Sequence, residues 1–380
     1  MSGQTIYAAR HEKTGRKRCT LRWLLLCLGA VMIGAYFALR SNHTLMVRVS
    51  DGFVRPVHRF LGRLCDALPF SVAELFYAVA VVALIVYIIY SVVQLIRRPE
   101  RLKRLCRIIL TLAAAAALFY GLFCLLWGVY YYGDSFSDRI GLDAKPVSAE
   151  QLETVTAYFA DMANRYSGSV KRDEQGSFAV ERSRILERGY SIYENAEKVF
   201  PCLRDEARHP KPILCSKIMS YIQFTGFFFP FTGESNLNMD SPACMLPATV
   251  AHELAHQRGV AKEQEANFAA VAACLESGDE TFIYSASLLA YTYLGNALYE
   301  ADHARWERVY GSLNAQVLQD FRENSAYWDR YEDTAASKAS DAVYERFLES
   351  YGQTLGLKSY GACVDLLVAY YYDAASETVG

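Results

Sequence analysis

The sequence predicts a membrane protein in which three N-terminal transmembrane helices precede a mainly α domain that contains a small sheet. Long apolar runs are confined to residues 1–132, whereas the rest of the chain mixes apolar and polar residues with a helical period. Charge divides at the same point. Residues 1–132 carry 17 lysines and arginines against 5 acidic residues, and residues 133–380 carry 22 against 36. The chain therefore joins a basic, apolar third to an acidic domain of ordinary composition.

Three apolar runs define the predicted membrane region, residues 23–132, which follows a basic tail of residues 1–22. The runs extend over Trp23–Leu39, Leu75–Ile96 and Ile108–Tyr132. Each approaches the ~20 residues that an α-helix needs to cross the hydrocarbon core. No convincing cleavage site of small residues follows the first run, so we interpret it as an uncleaved anchor.

The distribution of lysine and arginine predicts the orientation of these helices. The tail has six such residues and the loop of residues 97–107 also has six, whereas the longer connection of residues 41–69 has four. The two basic segments are therefore expected in the cytoplasm, and residues from 133 onward outside it. This predicts a multi-pass protein of the cell membrane, with the lipid bilayer as a partner. The outer part lacks the clustered lysines and arginines of a nucleic-acid interface, so no nucleic-acid partner is expected.

The outer part divides into a polar stalk, residues 133–147, and a domain, residues 148–380. Ser148 and Gln151 have the spacing of a capping box, which indicates the start of a helix. Residues 183–203 have the pattern of a second amphipathic helix.

The remainder of the domain is predicted to hold one or two short strands and several helices. The strands are expected in Lys211–Met239, which is rich in β-branched and aromatic residues and is interrupted by glycine and proline. After residue 279 the apolar pattern is helical throughout, beginning with "ETFIYSASLLAYTYLGNALYEA".

Cysteine usage leaves two alternatives open for the outer domain. Five of the ten cysteines lie there, so at least one has no partner in a monomer. A bridge between Cys202 and Cys215 is compatible with the sequence. Free, buried thiols are equally compatible, above all Cys274 on an apolar helix face.

The stretch "PATVAHELAHQRGVAKEQEANFAAVAAC", Pro247–Cys274, carries the strongest chemical signal. Its first part predicts a helix that ends at Gly259. His252 and His256 lie four residues apart, so they share a helix face and two imidazoles can bind one metal ion. Glu253 points toward the neighbouring face, where it can hold and deprotonate a water instead of binding the metal.

A catalytic zinc site needs a third protein ligand and an open position for water. The helix after Gly259 offers Glu263, which shares a face with Asn267, and Glu265, which is about 200° away around the helix. Only one of the two carboxylates is therefore expected to face the metal. We expect Glu263 as the ligand, with Asn267 orienting a ligand histidine. Glu265 is the alternative ligand.

The stretch "HELAHQRGVAKEQEANFAA" resembles gluzincin zinc peptidases, in which HExxH is followed by a helix reading E-x-x-A-[DN]. The resemblance implies a zincin-like fold, one Zn²⁺ per chain, Glu263 as third ligand and Asn267 behind it. The stretches "PFTGESNLN", "LPATVAHELAHQRGVAKEQEANF" and "SYGACVDLLVAYY" are similar to a bacterial family catalogued as domain of unknown function 3810. Its members combine N-terminal membrane helices with a helical zinc-peptidase-like domain. One departure is the short spacing from His256 to Glu263, which requires a tight turn at Gly259.

The predicted function is a membrane-anchored, extracytoplasmic zinc metallopeptidase acting on a peptide or protein substrate. Zinc would activate a water and Glu253 would act as general base. Tyr360 is a candidate for stabilising the oxyanion. The alternative is a non-catalytic zinc-binding sensor or scaffold of the cell envelope, against which the intact Glu253 argues. A transporter is disfavoured, because no charged residue lies in the middle of an apolar run.

In zincin topology an edge strand that aligns the substrate precedes the metal helix, and "FFFPFTGESNLNM" has that position. A peptide could add to such a strand by backbone pairing. Glu234, Asn236 and Asn238 alternate with their neighbours and so share one face. They are expected either to bind substrate or to form the solvated face of the strand.

Overall fold

The computed structural model describes residues 3–145, 147–332, 334–350 and 360–379. As the sequence predicts, the described chain is mostly helical and contains a small sheet. It divides into two compact units. The first comprises residues 1–54 and 74–133, and the second comprises residues 55–73 and 134–380.

Most of the first unit is formed by long apolar helices. Its elements are α1 (Gly3–Leu39), α2 (His43–Val49), all but the first two residues of α4 (Val72–Arg97), and α5 (Arg101–Leu126). Among the residues described, three helices are long and apolar enough to cross a membrane, namely residues 20–39 of α1, α4 and α5.

Helices α1 and α5 approach each other closely because glycines lie at their crossing. A Cβ on Gly29 would lie 2.6 Å from the backbone carbon of Ala117, and a Cβ on Gly121 would lie 3.0 Å from the Cβ of Met32. Small residues allow this approach, which is how helices associate where burial of apolar surface gives little driving force.

The third apolar helix ends earlier than predicted, at Leu126, and residues 128–132 form a 3₁₀ turn. The ring of Trp127 packs against those of Tyr130 and Tyr131, and the hydroxyl of Tyr36 donates to the carbonyl of Gly128 at 3.2 Å. Aromatic packing and this hydrogen bond therefore replace the last turns of the predicted helix.

The second unit holds the sheet and the remaining helices. Its first helices are α3 (Arg55–Asp66), α6 (Phe136–Ile140), α7 (Ala149–Ser167), α8 (Arg182–Gly189), α9 (Ala196–Val199) and α10 (Ser216–Tyr221). The strands are β1 (Lys211–Ile213), β2 (Gly226–Phe229) and β3 (Glu234–Asn238). The later helices are α11 (Leu246–Gln257), α12 (Glu263–Ser277), α13 (Glu280–Ala301), α14 (His303–Tyr310), α15 (Ala315–Trp328), α16 (Ala335–Ser350) and α17 (Tyr360–Val379).

The segment of residues 133–147 is not the isolated stalk that its composition predicts. Ser135 and Asp138 form a capping box that begins α6. Phe136, which directly follows Ser135, is 3% exposed and packs against Phe200 and Phe268. One buried aromatic side chain therefore draws this polar segment into the core of the second unit.

The predicted helix over residues 183–203 is interrupted, because α8 ends at Gly189. A Cβ on Gly189 would lie 2.5 Å from Cγ1 of Val250 on α11, so a glycine allows the two backbones to approach. Turns then lead to Tyr193, whose hydroxyl donates to the carbonyl of Ala251 at 2.8 Å. The contact with α11 thus replaces a regular helix.

The sheet has one strand more than the upper estimate from sequence, in the order β1-β3-β2. Strand β3 pairs with β1 in parallel and with β2 antiparallel. It is therefore the central strand, and β2 lies at an edge. All five residues of β3 are buried.

The core of the second unit is built around α13, whose bounds match the predicted stretch. Asp279 caps it by accepting from the amides of Thr281 and Phe282, at 2.9 and 3.4 Å. Buried residues occur on all sides of this helix for most of its length, which is expected of a helix inside a domain.

In the part of the chain that the structure describes, no disulfide joins Cys202 to Cys215. Cys244, Cys274 and Cys363 are buried. Burial raises the pKa of the Cys244 thiol to about 12, so this group remains a small apolar side chain.

A buried ion pair attaches the loop between α7 and α8 to the core. The guanidinium of Arg172 donates to both carboxylate oxygens of Asp320, at 3.1 and 3.0 Å, and Tyr284 also donates to this carboxylate. The side chain of Asp320 is fully buried and that of Arg172 is 9% exposed. A bidentate pair with a third donor satisfies the carboxylate in this apolar setting.

The Arg172→Met substitution is expected to lower the free energy of unfolding by about 3–5 kcal/mol, because it leaves the Asp320 carboxylate buried without its cation. Denaturant unfolding of the full-length protein in detergent, followed by circular dichroism, measures this loss. The matched control is Arg165→Met, which breaks an exposed pair with Asp161 on α7. It should cost less than about 1 kcal/mol. Equal losses in the two variants would contradict the assignment.

Candidate metal centre

Helix α11 carries both histidines of the HExxH stretch and ends in a tight turn. The amide of Gly259 donates to the carbonyl of His256 at 2.9 Å, and the amide of Val260 donates to the carbonyl of Ala255 at 3.1 Å. These two bonds form a Schellman motif, with Gly259 at φ +85° in the left-handed region. The turn reverses the chain so that α12 begins at Glu263, beside the histidines.

Three side chains converge at this place, and we call them the metal tripod: His252, His256 and Glu263. Oε2 of Glu263 lies 3.2 Å from Nε2 of His252 and 3.6 Å from Nε2 of His256. Donor atoms from all three residues lie within 4.8 Å of one another. Two imidazole nitrogens and one carboxylate oxygen are the donor set of a catalytic zinc site with one position left open, so the residues present fit this metal.

Hydrogen bonds behind the tripod orient both imidazoles. Nδ1 of His252 lies 2.8 Å from Oδ1 of Asn267, and Nδ1 of His256 lies 2.7 Å from the carbonyl oxygen of Val260. An oxygen acceptor at Nδ1 requires the proton there, which leaves the lone pair of a neutral imidazole at Nε2 for a metal. The amide nitrogen of Asn267 donates to the hydroxyl of Tyr293 at 2.8 Å and so holds the amide in this orientation.

The charges within the tripod favour a bound cation. Although burial acts to lower the pKa of His256, the Glu263 carboxylate raises it to about 9. Although burial acts to raise the pKa of Glu263, the imidazoles of His256 and His252 hold it well below its usual range. The Glu263 carboxylate favours a proton on Nε2 of His256, the atom that would bind a metal. Metal binding would therefore release this proton.

The side chain of Glu253, on α11, lies against Gly226, the first residue of strand β2. Its side chain is buried, and a Cβ on Gly226 would lie only 2.6 Å from its Oε1. Burial raises the pKa of Glu253 to about 7. Its Oε2 atom is buried with no hydrogen-bond partner among the described residues. A carboxyl group with a pKa near neutrality can both accept and return a proton.

Tyr344 of α16 completes the surroundings of the tripod. Its hydroxyl donates to Oε1 of Glu263 at 2.6 Å, while its ring packs edge-on against Phe224, just before β2. Sequence reasoning missed this residue. It is one of 27 tyrosines and lies 81 positions from Glu263, so no local spacing indicates it.

Glu265 does not reach the tripod, so its assignment as the alternative ligand is wrong. Its carboxylate accepts from the amide of Phe136 at 2.6 Å and from the hydroxyl of Ser137 at 3.0 Å. Its position around α12 turns Glu265 away from the tripod, and one amide and one hydroxyl at the start of α6 bind its carboxylate there.

The three polar residues of β3 are also not brought to the tripod. Glu234, Asn236 and Asn238 are all 3% exposed or less. Their strand is central, with neighbours on both sides. The expectation that they form a solvated face is therefore wrong, and the structure gives them no opening toward a substrate.

These side chains bond to other parts of the second unit instead. The carboxylate of Glu234 accepts from the amides of Val72 and Ala73, at 3.1 and 2.9 Å, and so caps the start of α4. The hydroxyl of Ser71 donates to the side-chain oxygen of Asn236 at 2.6 Å. Asn238 donates to the carbonyl of Phe224 at 2.9 Å.

Tyr360, the candidate for oxyanion stabilisation, is the first residue of α17. Its side chain lies outside the part of the chain that the structure describes. The assignment of this residue stays a prediction.

The Glu263→Gln substitution is expected to abolish zinc retention in the purified full-length protein, because it replaces the charged donor of the tripod. Elemental analysis after dialysis measures the metal content. The matched control on the same helix is Glu265→Gln, which should retain zinc as the wild type does. An Asn267→Ala variant should bind zinc roughly 10–100-fold more weakly, because His252 loses its orienting partner. Loss of zinc from Glu265→Gln with retention in Glu263→Gln would contradict the tripod.

The sequence model of a protein family with the description "Protein of unknown function (DUF3810)" matches residues 50–368. This range contains α3, the helices α4 and α5, the sheet and the whole metal tripod. No curated protein and no solved structure matches the chain. Because the match extends over most of its length, this chain belongs to the DUF3810 family.

Proposed function

We propose that this protein is a membrane-anchored zinc metallopeptidase of gluzincin type that hydrolyses peptide bonds outside the cytoplasm. One observation carries the proposal: the tripod of two imidazoles and a carboxylate lies directly beside the buried Glu253. A tripod alone suits any zinc protein. A buried carboxyl group next to it, with a pKa of about 7, is what hydrolysis needs in addition.

Each residue has a definite role in the proposed reaction. Zinc held by His252, His256 and Glu263 would polarise a substrate carbonyl and acidify a water. Glu253 accepts the proton of the attacking water and returns it to the leaving amine. Tyr344 donates to Glu263 in the described structure, so its hydroxyl is close enough to serve a developing oxyanion or to restrain the ligand carboxylate.

Strand β2, one of the two outer strands of the sheet, supports the proposal that the substrate is a peptide. Strand β2 pairs with β3 on one side and lies at the edge of the sheet order. Its first residue, Gly226, is the one that adjoins Glu253. A peptide that pairs with β2 in extended form would therefore pass near the general base. We therefore assign the proposed role of a substrate-aligning strand to β2 and not to β3.

The division of the chain into units indicates that both segments of the second unit lie on the same side of the membrane. Residues 55–73 pack in the same unit as residues 134–380, and α4 and α5 lie between them in sequence. If both helices cross the bilayer, two crossings return the chain to the same side. With the bias of lysine and arginine in the N-terminal tail and the loop of residues 97–107, that side is extracytoplasmic and the N-terminus is cytoplasmic.

The Glu253→Gln substitution is expected to lower the rate of peptide cleavage by roughly 10²–10⁴-fold, as loss of a general base does, while zinc is retained. Cleavage of a peptide library by the full-length protein in detergent, read by mass spectrometry, measures this effect. Elemental analysis of the same samples provides the control. Zinc in both proteins with no cleavage by the wild type would instead favour the alternative, a non-catalytic zinc-binding sensor or scaffold.

The Gly226→Ala substitution is expected to lower kcat with little change in zinc content, because its Cβ would lie 2.6 Å from Oε1 of Glu253 and displace that carboxylate. The matched control is Gly361→Ala on α17, where a Cβ meets no atom of the described residues within 4 Å. It should cleave peptides at the wild-type rate. Unchanged cleavage by Gly226→Ala would show that the position of the Glu253 carboxylate is not critical.

A further inference from the structure

Helix α3 is amphipathic in the reverse of the usual sense. A helix on the surface of a soluble domain buries its apolar face and exposes its polar face. In α3, Phe60 is 60% exposed and Leu64 is 59% exposed, while His58 is 2% exposed and Gly62 is buried. The apolar side of the helix therefore faces away from the second unit.

Most of the charged residues of α3 are bonded to the second unit. Nε of Arg59 lies 2.7 Å from Oδ1 of Asp205, and Nη2 of Arg55 donates to the carbonyl of Arg258 at 2.8 Å. The carboxylate of Asp66 accepts from the amide of His209 at 2.7 Å. These bonds fix the rotation of α3 about its axis.

Close backbone packing fixes the same rotation independently. A Cβ on Gly62 would lie 2.9 Å from Cδ of Arg208 and 3.1 Å from the carbonyl oxygen of Gly233. A Cβ on Gly233 would lie 2.6 Å from the carbonyl oxygen of His58. Because this face of the helix touches backbone, α3 cannot turn Phe60 and Leu64 inward without leaving the unit.

The exposed apolar surface continues along the chain to a candidate membrane span. After α3, Leu68 and Phe70 are 39% and 40% exposed. Helix α4, which is apolar enough to cross a bilayer, begins two residues after Phe70. The carboxylate of Glu234 caps its first turn from within the second unit.

We infer that this surface, consisting of Phe60, Leu64, Leu68 and Phe70, lies in the boundary between headgroups and acyl chains of the bilayer that α4 enters. We take the bilayer as the partner of this surface because α4 follows it directly in the chain. If α4 crosses a bilayer, the boundary of that bilayer lies next to the residues just before α4. Amphipathic helices bind this boundary with their apolar residues immersed and their polar face turned away. Contact with the bilayer accounts for the exposed apolar face of α3, and the bonds to the rest of the second unit account for its buried polar face.

This contact would hold the second unit, which contains the metal tripod, against the membrane. Arg55 of α3 donates to the carbonyl of Arg258, which follows the last residue of α11. The helix that carries His252 and His256 is thus one hydrogen bond from the membrane-facing helix. The inference rests on the membrane-anchored part of the proposed function, but not on zinc or on peptide hydrolysis.

Site-specific photo-crosslinking of the full-length protein tests this contact. A benzophenone amino acid replaces Phe60 in one variant and Leu64 in another, and each is reconstituted in nanodiscs of phosphatidylethanolamine and phosphatidylglycerol. The matched exposed control is Val343 on α16, which is 70% exposed. The positive control is Ile85 within α4, 50% exposed in the described chain. Mass spectrometry identifies the adducts, and protease resistance verifies that each variant is folded.

The expected result is phospholipid adducts at positions 60 and 64 in a yield similar to that at position 85, with none at position 343. Adducts of positions 60 and 64 with a second copy of the chain would overturn the inference in favour of a self-association surface. An absence of lipid adducts at both positions, with position 85 labelled, would overturn it as well. Equal labelling of position 343 would do the same by showing that the adducts are not specific. None of these outcomes depends on metal content or peptidase activity.

Discussion

The close packing of α12 on α11 across the turn at Gly259 is the constraint on which the candidate site depends. The turn satisfies the last carbonyls of α11 through Gly259 and Val260, and the carbonyl of Val260 accepts from the imidazole of His256. One short segment therefore ends the helix, orients the imidazole of His256 and brings Glu263 back beside it. Helix α12 itself carries a row of buried small residues, including Ala266, Ala269, Ala270 and Ala273.

Electrostatic separation of two neighbouring carboxylates gives the site its chemical character. Burial raises the pKa of Glu253 to about 7, whereas the imidazoles hold that of Glu263 well below its usual range. The charges of His252 and His256 act on both carboxylates, but burial outweighs them at Glu253 and not at Glu263. Groups with pKa values pushed apart in this way can take different roles in one reaction. The charged carboxylate suits a cation, and the one near neutrality suits proton transfer.

Strand β3 connects the candidate site to the start of a candidate membrane span. Its residue Glu234 caps the first turn of α4, while Ser235 donates to the carbonyl of Glu253 at 2.9 Å. Neighbouring residues of one buried strand thus bond to α4 on one side and to the HExxH helix on the other. This arrangement explains why polar residues occupy a central strand: buried polar groups are retained where they satisfy backbone donors and acceptors of adjoining elements.

The sequence by itself determined the features that follow from local periodicity. The spacing of His252 and His256, and the choice of Glu263 over Glu265 beside Asn267, follow from 100° per residue on a helix. Apolar length alone indicated the three candidate spans. The bounds of α13 followed from its apolar pattern.

Only the tertiary structure decided what packs against the helix and strand faces that periodicity predicts. Tyr344 reaches Glu263 from far along the chain, Phe136 draws a polar segment into the core, and the alternating polar residues of β3 are buried. Periodicity indicates that two residues share a face, but it carries no information on what packs against that face. That depends on contacts between distant segments, and neither composition nor spacing records them.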